Sequence, residues 1–142
     1  MNEAYDRKRR VVVGESGLGP YGQVAVSRRH VFTADEPESL GGYDTGPDPL
    51  ELLLSSLAAC TVMTIRMYVN RRRIDVGKIT VTVEHEWVRD ETGKTRDIFR
   101  RLVHVDPRPT SDVLNTLLEV AERCPVHKAI TNSPIIETHA NP

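Results

Sequence analysis

An α+β fold organised around one buried helix is what this sequence predicts, and three observations carry that reading. Residues 50–69 contain neither Gly nor Pro and are apolar around most of a helical circumference until Arg66. A helix apolar all round is normally buried. Residues 78–88 alternate, with Ile79, Val81 and Val83 opposed to Thr80, Thr82 and Glu84, which is the period of a strand with one covered face. The order strands, helix, strands, helix, strand then gives an α+β arrangement.

In chain order, residues 5–13 read as a strand through the β-branched run Val11-Val12-Val13, and residues 14–22, with four glycines and Pro20, as a turn. Residues 23–33 alternate in part (Val24, Val26, His30, Phe32) and suggest one or two further strands. The N-terminal strands thus occupy residues 5–33 as an antiparallel meander or hairpin. Residues 34–48 are dense in Gly and Pro and form a long shaped loop, a length that in compact domains is often functional. Asp48, Pro49 and Glu51 resemble a capping box opening the central helix, expected over residues 49–70. Strands occupy residues 78–105, paired through a turn at Asp90-Glu91-Thr92-Gly93-Lys94 and ended by Pro107 and Pro109. Thr110 or Ser111 caps a helix carrying Val113, Leu114, Leu117, Leu118, Val120 and Ala121 at helical spacing. Cys124 is disfavoured in helical geometry because Pro125 follows it. The helices therefore cover residues 111–131 in two pieces. Residues 134–139 are expected as a closing strand. No internal repeat or low-complexity segment is present.

A chain of 142 residues is expected to form a single domain. Its 39% hydrophobic content is low for covering an all-round apolar helix alone, so a second subunit is expected to help. The net charge of -1, from 19 Lys+Arg against 20 Asp+Glu, offers no electrostatic footprint for nucleic acid or an anionic membrane. Arg7-Lys8-Arg9-Arg10 and Arg71-Arg72-Arg73 read as solvated faces, since no stacking aromatics flank them. The first residues lack the apolar core of a signal peptide, so a cytoplasmic location is expected. The longest apolar region reads as too short and interrupted to span a membrane.

In a reducing cytosol the two cysteines are not a static staple; they are small buried hydrophobes or a redox or metal pair. Cys60 lies deep in the apolar helix, where burial alone makes a thiol inert. To react it needs a cation, and Arg66, Arg28 and Arg29 are the candidates. Cys124 is placed to be the N-cap of a short helix beginning at Pro125, where free N–H groups favour a thiolate. His127 lies one turn on. By local physics Cys124 is the more acidic thiol. Cys60, Cys124, His127 and His30 could together supply two sulfurs and two nitrogens to a metal, but no Cys-x-x-Cys or His-x-x-x-His accompanies them. Neither a Gly-x-Ser-x-Gly elbow nor a phosphate-binding loop is present.

Three stretches carry a family resemblance. They are Ala34-Asp35-Glu36-Pro37 with Gly41-Gly42 and Gly46-Pro47-Asp48-Pro49; Glu51-Leu52-Leu53 with Ala58-Ala59-Cys60-Thr61 and Met63-Thr64; and Arg123-Cys124-Pro125-Val126-His127-Lys128. Together they resemble the OsmC/Ohr family of osmotically inducible protein C and the organic hydroperoxide resistance proteins, over about residues 20–139. The resemblance implies an OsmC-like fold: an intertwined homodimer with antiparallel sheets wrapping long central helices. It also implies a thiol peroxidase for organic hydroperoxides without a cofactor. Carried over, Cys60 is the peroxidatic thiolate and Cys124 the resolving thiol. A sulfenic acid on Cys60 condenses to a disulfide, which a dithiol reductant such as a lipoylated protein reopens.

Arg29 is the preferred activating cation and Glu51 the candidate acid. In the better-known branch the acid directly follows the proline; here Leu50 follows Pro49, and one residue turns a helix by about 100°. His30, Leu57, Met63 and His127 are the expected substrate-binding residues. The displaced Glu51 motivates a second reading, a non-peroxidase small-molecule binder or redox sensor using an interface pocket. A purely structural dimeric module is a third.

Overall fold

The structure is a computed structural model and describes residues 8–141. The chain divides into two compact units, with the boundary between Leu52 and Leu53.

In the first unit, β1 (Val12–Glu15), β2 (Gln23–Ser27) and β3 (His30–Ala34) form an antiparallel sheet in sequential order. The strand expected from residue 5 begins at Val12, because β2 offers partners only from Val12↔Val26 to Glu15↔Gln23; residues 5–7 lie outside the described ones. The expected stretch 23–33 resolves into two strands joined by Arg28 and Arg29. Arg28 takes φ 56°, the left-handed conformation such tight hairpins need.

The following loop is built around Asp35, which is 2% exposed. Its carboxylate accepts from Glu36 N (2.8 Å), Tyr43 N (3.3 Å), Thr45 N (3.1 Å) and Thr45 Oγ1 (2.8 Å). Gly42 is obligatory beside it, since a Cβ there would run into the Glu36 backbone. Burial pushes the Asp35 carboxyl upward, but its hydrogen bonds from Thr45, Glu36 and Tyr43 outweigh that and hold it below the ordinary 3.8. A lowered folded value means that the ionised group adds stability above 3.8, and that this is lost as pH falls through the folded value. Asp35→Asn, which has fewer acceptor lone pairs for the same donors, is expected to lower Tm at neutral pH. It is also expected to flatten the acid limb of the Tm–pH curve; unchanged melts would contradict the carboxylate's role.

At the end of this unit Asp48 N donates to Glu51 Oε2 (2.9 Å) and Glu51 N to Asp48 Oδ1 (2.8 Å), the reciprocal bonds of a capping box. They start α1 (Pro49–Arg72), two residues longer at its C-terminus than expected.

In the second unit α1 continues from Leu53 and packs on a hairpin of β4 (Lys78–Arg89) and β5 (Thr95–Asp106). The register Ile79↔Val105, Val81↔Val103 and Val83↔Arg101 sends these side chains to one face, as strand periodicity requires. Two helices follow: α2 (Ser111–Ala121), with Thr110 as its N-cap, and α3 (Pro125–Thr131). The core joins Ile65 and Val69 of α1, Ile79 and Val105 of the sheet, and Leu117, Val120 and Ala121 of α2.

Three expectations are corrected here. Residues 134–139 form no strand; Ile135 and Ile136 are exposed, and a strand exists only where another edge accepts its hydrogen bonds. The all-round apolar helix is covered along one stripe only, Leu57, Thr61, Ile65 and Val69, while Met63 and Met67 are exposed. By length and composition alone α1, with 24 residues and an 18-residue window of mean hydropathy 1.6, is sufficient to cross a membrane. Two residues of its stripe, Ile65 and Val69, are packed in the core just described.

Candidate active site

Cys60 lies three turns into α1, half-buried, and Cys124 is fully buried at the N-cap of α3; both are free thiols. Pro125 at the first helical position ends any continuation of α2 and leaves the amides of Val126 and His127 facing the Cys124 sulfur. No side-chain capping hydrogen bond is formed there, but the amides are close enough to favour a thiolate. Burial pushes the Cys124 thiol up. Hydrogen bonding to Cys60, the His127 and Val126 amides and the Thr61 hydroxyl outweigh it and bring the thiol below the ordinary 9.0. Cys60 moves the other way: burial and the Cys124 sulfur lift it above 9.0, against smaller opposing effects from the Val126 amide and Thr64. The two thiols form one unit, in which Cys124 is the one favoured to ionise first and Cys60 the one favoured to keep its proton. The sequence-based expectation that Cys124 is the more acidic thiol holds in direction.

The cation linked to this pair through Thr61 is Arg101 of β5, which the sequence reading did not single out. Its side chain is 11% exposed. Nη1 donates to Thr61 Oγ1 at 3.1 Å and Nη2 to Glu122 Oε1 at 2.7 Å, and Nη2 lies 3.5 Å from His127 Nδ1. His127 Nε2 is 3.2 Å from Glu122 Oε2. With Arg101 facing Nδ1, the proton of a neutral His127 belongs on Nε2, directed at Glu122. Thr61 is fully buried, and its hydroxyl donates to the Leu57 carbonyl at 2.7 Å. A signal for Arg101 exists in the sequence: it is in phase with Phe99, Val103 and Val105 on the inward face, and an inward charge demands buried partners.

A cavity of about 590 Å3 opens beside these groups, with Leu57, Phe99, Val103, Leu118 and Ile130 as apolar walls and Arg101, Glu122 and His127 as its polar side. Of the expected substrate-binding residues, Leu57 and His127 line it. Met63 lies on the exposed flank of α1. Arg29 and His30 lie in the first unit at the β2–β3 turn, both exposed, and Arg28 sits in the same turn. The Glu51 carboxylate is engaged in the capping box. Arg66 donates to the carbonyls of Val76 and Gly77 at the base of the hairpin. Within the unit that holds the cysteines, Arg101 is the arginine that donates to Thr61.

A family model described as OsmC-like protein matches residues 42–139. Among solved structures, an OsmC-like protein from Mycoplasma pneumoniae superposes with a TM-score of 0.68 at 22% identity, covering 90% of each chain. An organic hydroperoxide resistance protein from Elizabethkingia anophelis gives 0.68 at 21% identity, covering 89% of this chain and 90% of the other. A protein of Psychrobacter arcticus 273-4, described as a putative osmotic stress induced and detoxification response protein, gives 0.69 at 20%, covering 84% and 85%. These likenesses establish a shared fold. No curated protein sequence matches the chain.

Proposed function

The chain belongs to the OsmC-like protein family, and we propose that it is a thiol-dependent peroxidase that reduces organic hydroperoxides through Cys60 and Cys124. The single observation that carries this reading is the meeting of the chain's only two cysteines within hydrogen-bonding reach of each other, where Ala121 and His127, which contact Cys124, also line a cavity with apolar walls. Such walls suit the organic half of a hydroperoxide, the substrate class named for one of the similar structures.

Cys60 Sγ attacks the terminal peroxide oxygen; the S–O bond forms as the O–O bond breaks. The proton first held by Cys60 passes by way of Cys124 to the departing alkoxide, giving the alcohol. Cys124, again a thiolate, attacks the sulfenic sulfur; the S–S bond forms and hydroxide leaves, taking up a proton as water. A dithiol, by class a lipoylated protein, returns both thiols and is itself oxidised to its disulfide. Arg101 supplies positive charge to the network around Thr61, and Glu122 pairs with it at 2.7 Å.

Turnover of cumene hydroperoxide with dihydrolipoamide as reductant tests the reading, and it should exceed turnover of hydrogen peroxide; no turnover of either would overturn it. We further propose a cytoplasmic homodimer in which a second copy covers the Met63 and Met67 flank of α1. A second reading has its own support: burial lifts the Cys60 thiol above 9.0, which slows attack near neutrality. On that reading the protein is a small-molecule binder or redox sensor. It predicts a peroxide-inert protein that binds an apolar ligand, and loses it when Leu118→Phe fills the cavity.

A further inference from the structure

Thr61 stands between the arginine and the cysteine pair, and its hydroxyl has one proton and two lone pairs. One lone pair is taken by Arg101 Nη1 at 3.1 Å. The proton has two competing acceptors: the Leu57 carbonyl at 2.7 Å, and the Cys124 sulfur, which faces Thr61. Both Thr61 and Cys124 are fully buried, so no solvent competes for either. Arg101 is itself held from the far side by Glu122 and faces His127 Nδ1, which leaves its Nη1 directed at Thr61.

We infer that Arg101 is a positioning residue that acts through Thr61: by donating into that hydroxyl it polarises the single O–H and makes it available to Cys124 once this sulfur is charged. Charge on Cys124 then pulls the proton from the Leu57 carbonyl, and donation by Arg101 strengthens the new bond, as linked hydrogen bonds strengthen one another. The ionisable groups of this network are Cys60 on α1, which faces Cys124, and Arg101 on β5, Glu122 after α2 and His127 on α3, which are joined to one another, with Asp97 of β5 lining the same cavity as those three. Of these, Arg101 alone bears on the sulfur through a hydroxyl that a near-isosteric substitution can delete. The inference rests on the reading that the cysteine pair is the redox centre, and it names a device within that centre.

The test is thiolate absorbance in the ultraviolet, followed against pH in the full-length reduced protein, with circular dichroism as the check on folding. Thr61→Val is expected to raise the first thiol ionisation by about one pH unit, and Thr61→Ser to restore it. Arg101→Met is expected to raise it in the native background and to add little in the Thr61→Val background, because the arginine's route has been removed. An Arg101→Met shift of the same size in both backgrounds, meaning direct action through space, overturns the inference. So does an ionisation that neither substitution moves in folded protein. A wild-type protein that consumes no peroxide but shows this pattern sinks the peroxidase reading and leaves the relay standing. Peroxide consumption without the pattern does the reverse.

Discussion

Cys60→Ser is expected to slow the reaction with cumene hydroperoxide by about a thousand-fold or more, measured as pre-steady-state peroxide loss on the reduced protein. Two properties of the pair pull in opposite directions here. Acidity favours Cys124, which lies below 9.0 while Cys60 lies above it. Access favours Cys60, because the Cys124 side chain is fully buried while Cys60 is half-open. Access should win, since a proton crosses between the two sulfurs far more readily than a hydroperoxide reaches a sulfur with no exposed surface. Cys124→Ser should therefore leave the first step within roughly tenfold of native while removing the disulfide. The protein then stops at a sulfenic acid that a 1,3-diketone traps on Cys60. If Cys124→Ser abolishes the first step and Cys60→Ser spares it, the order of attack is inverted.

The second large effect is on stability. Ile65→Ala should cost about 3 to 4 kcal/mol in denaturant unfolding. Ile65 is fully buried where α1 meets Ile79, Val105, Leu117 and Val120, a site enclosed by three elements with little room to collapse. Met67→Ala makes the contrast. Met67 is 63% exposed, so in a monomer its loss should change stability by less than about 0.5 kcal/mol. If a second copy covers that flank, the same substitution should instead lower stability in a manner that depends on protein concentration. A small loss for Ile65→Ala would contradict the packing described. A concentration-independent null for Met67→Ala would contradict the proposed dimer face.

Much of the fold could be read from local pattern, because local physics sets it. Asp48, Pro49 and Glu51 predict the start of α1, and their reciprocal bonds form as that pattern requires. Alternation at Ile79, Val81 and Val83 predicts β4. Cys124 before Pro125 predicts an N-cap. What failed depends on partners distant in sequence. Ile135 and Ile136 look like strand residues, yet among the described residues no strand edge receives them. Arg101 was missed because Arg100-Arg101 reads as a charged surface pair. The pleat separates them: Arg100 turns outward to Glu86, and Arg101 turns inward to Glu122 and Thr61. Glu51 has a role in the fold that was legible from its spacing: one carboxylate oxygen accepts from Asp48 N at the start of α1.

The most direct measurement is the fate of the two thiols after one equivalent of cumene hydroperoxide is added to fully reduced protein, followed by intact mass and peptide mapping. Loss of two hydrogens, a Cys60–Cys124 disulfide within one chain and one equivalent of cumyl alcohol are expected. Two surviving thiols with the peroxide untouched would contradict the proposed chemistry, as would a sulfenic acid confined to Cys124.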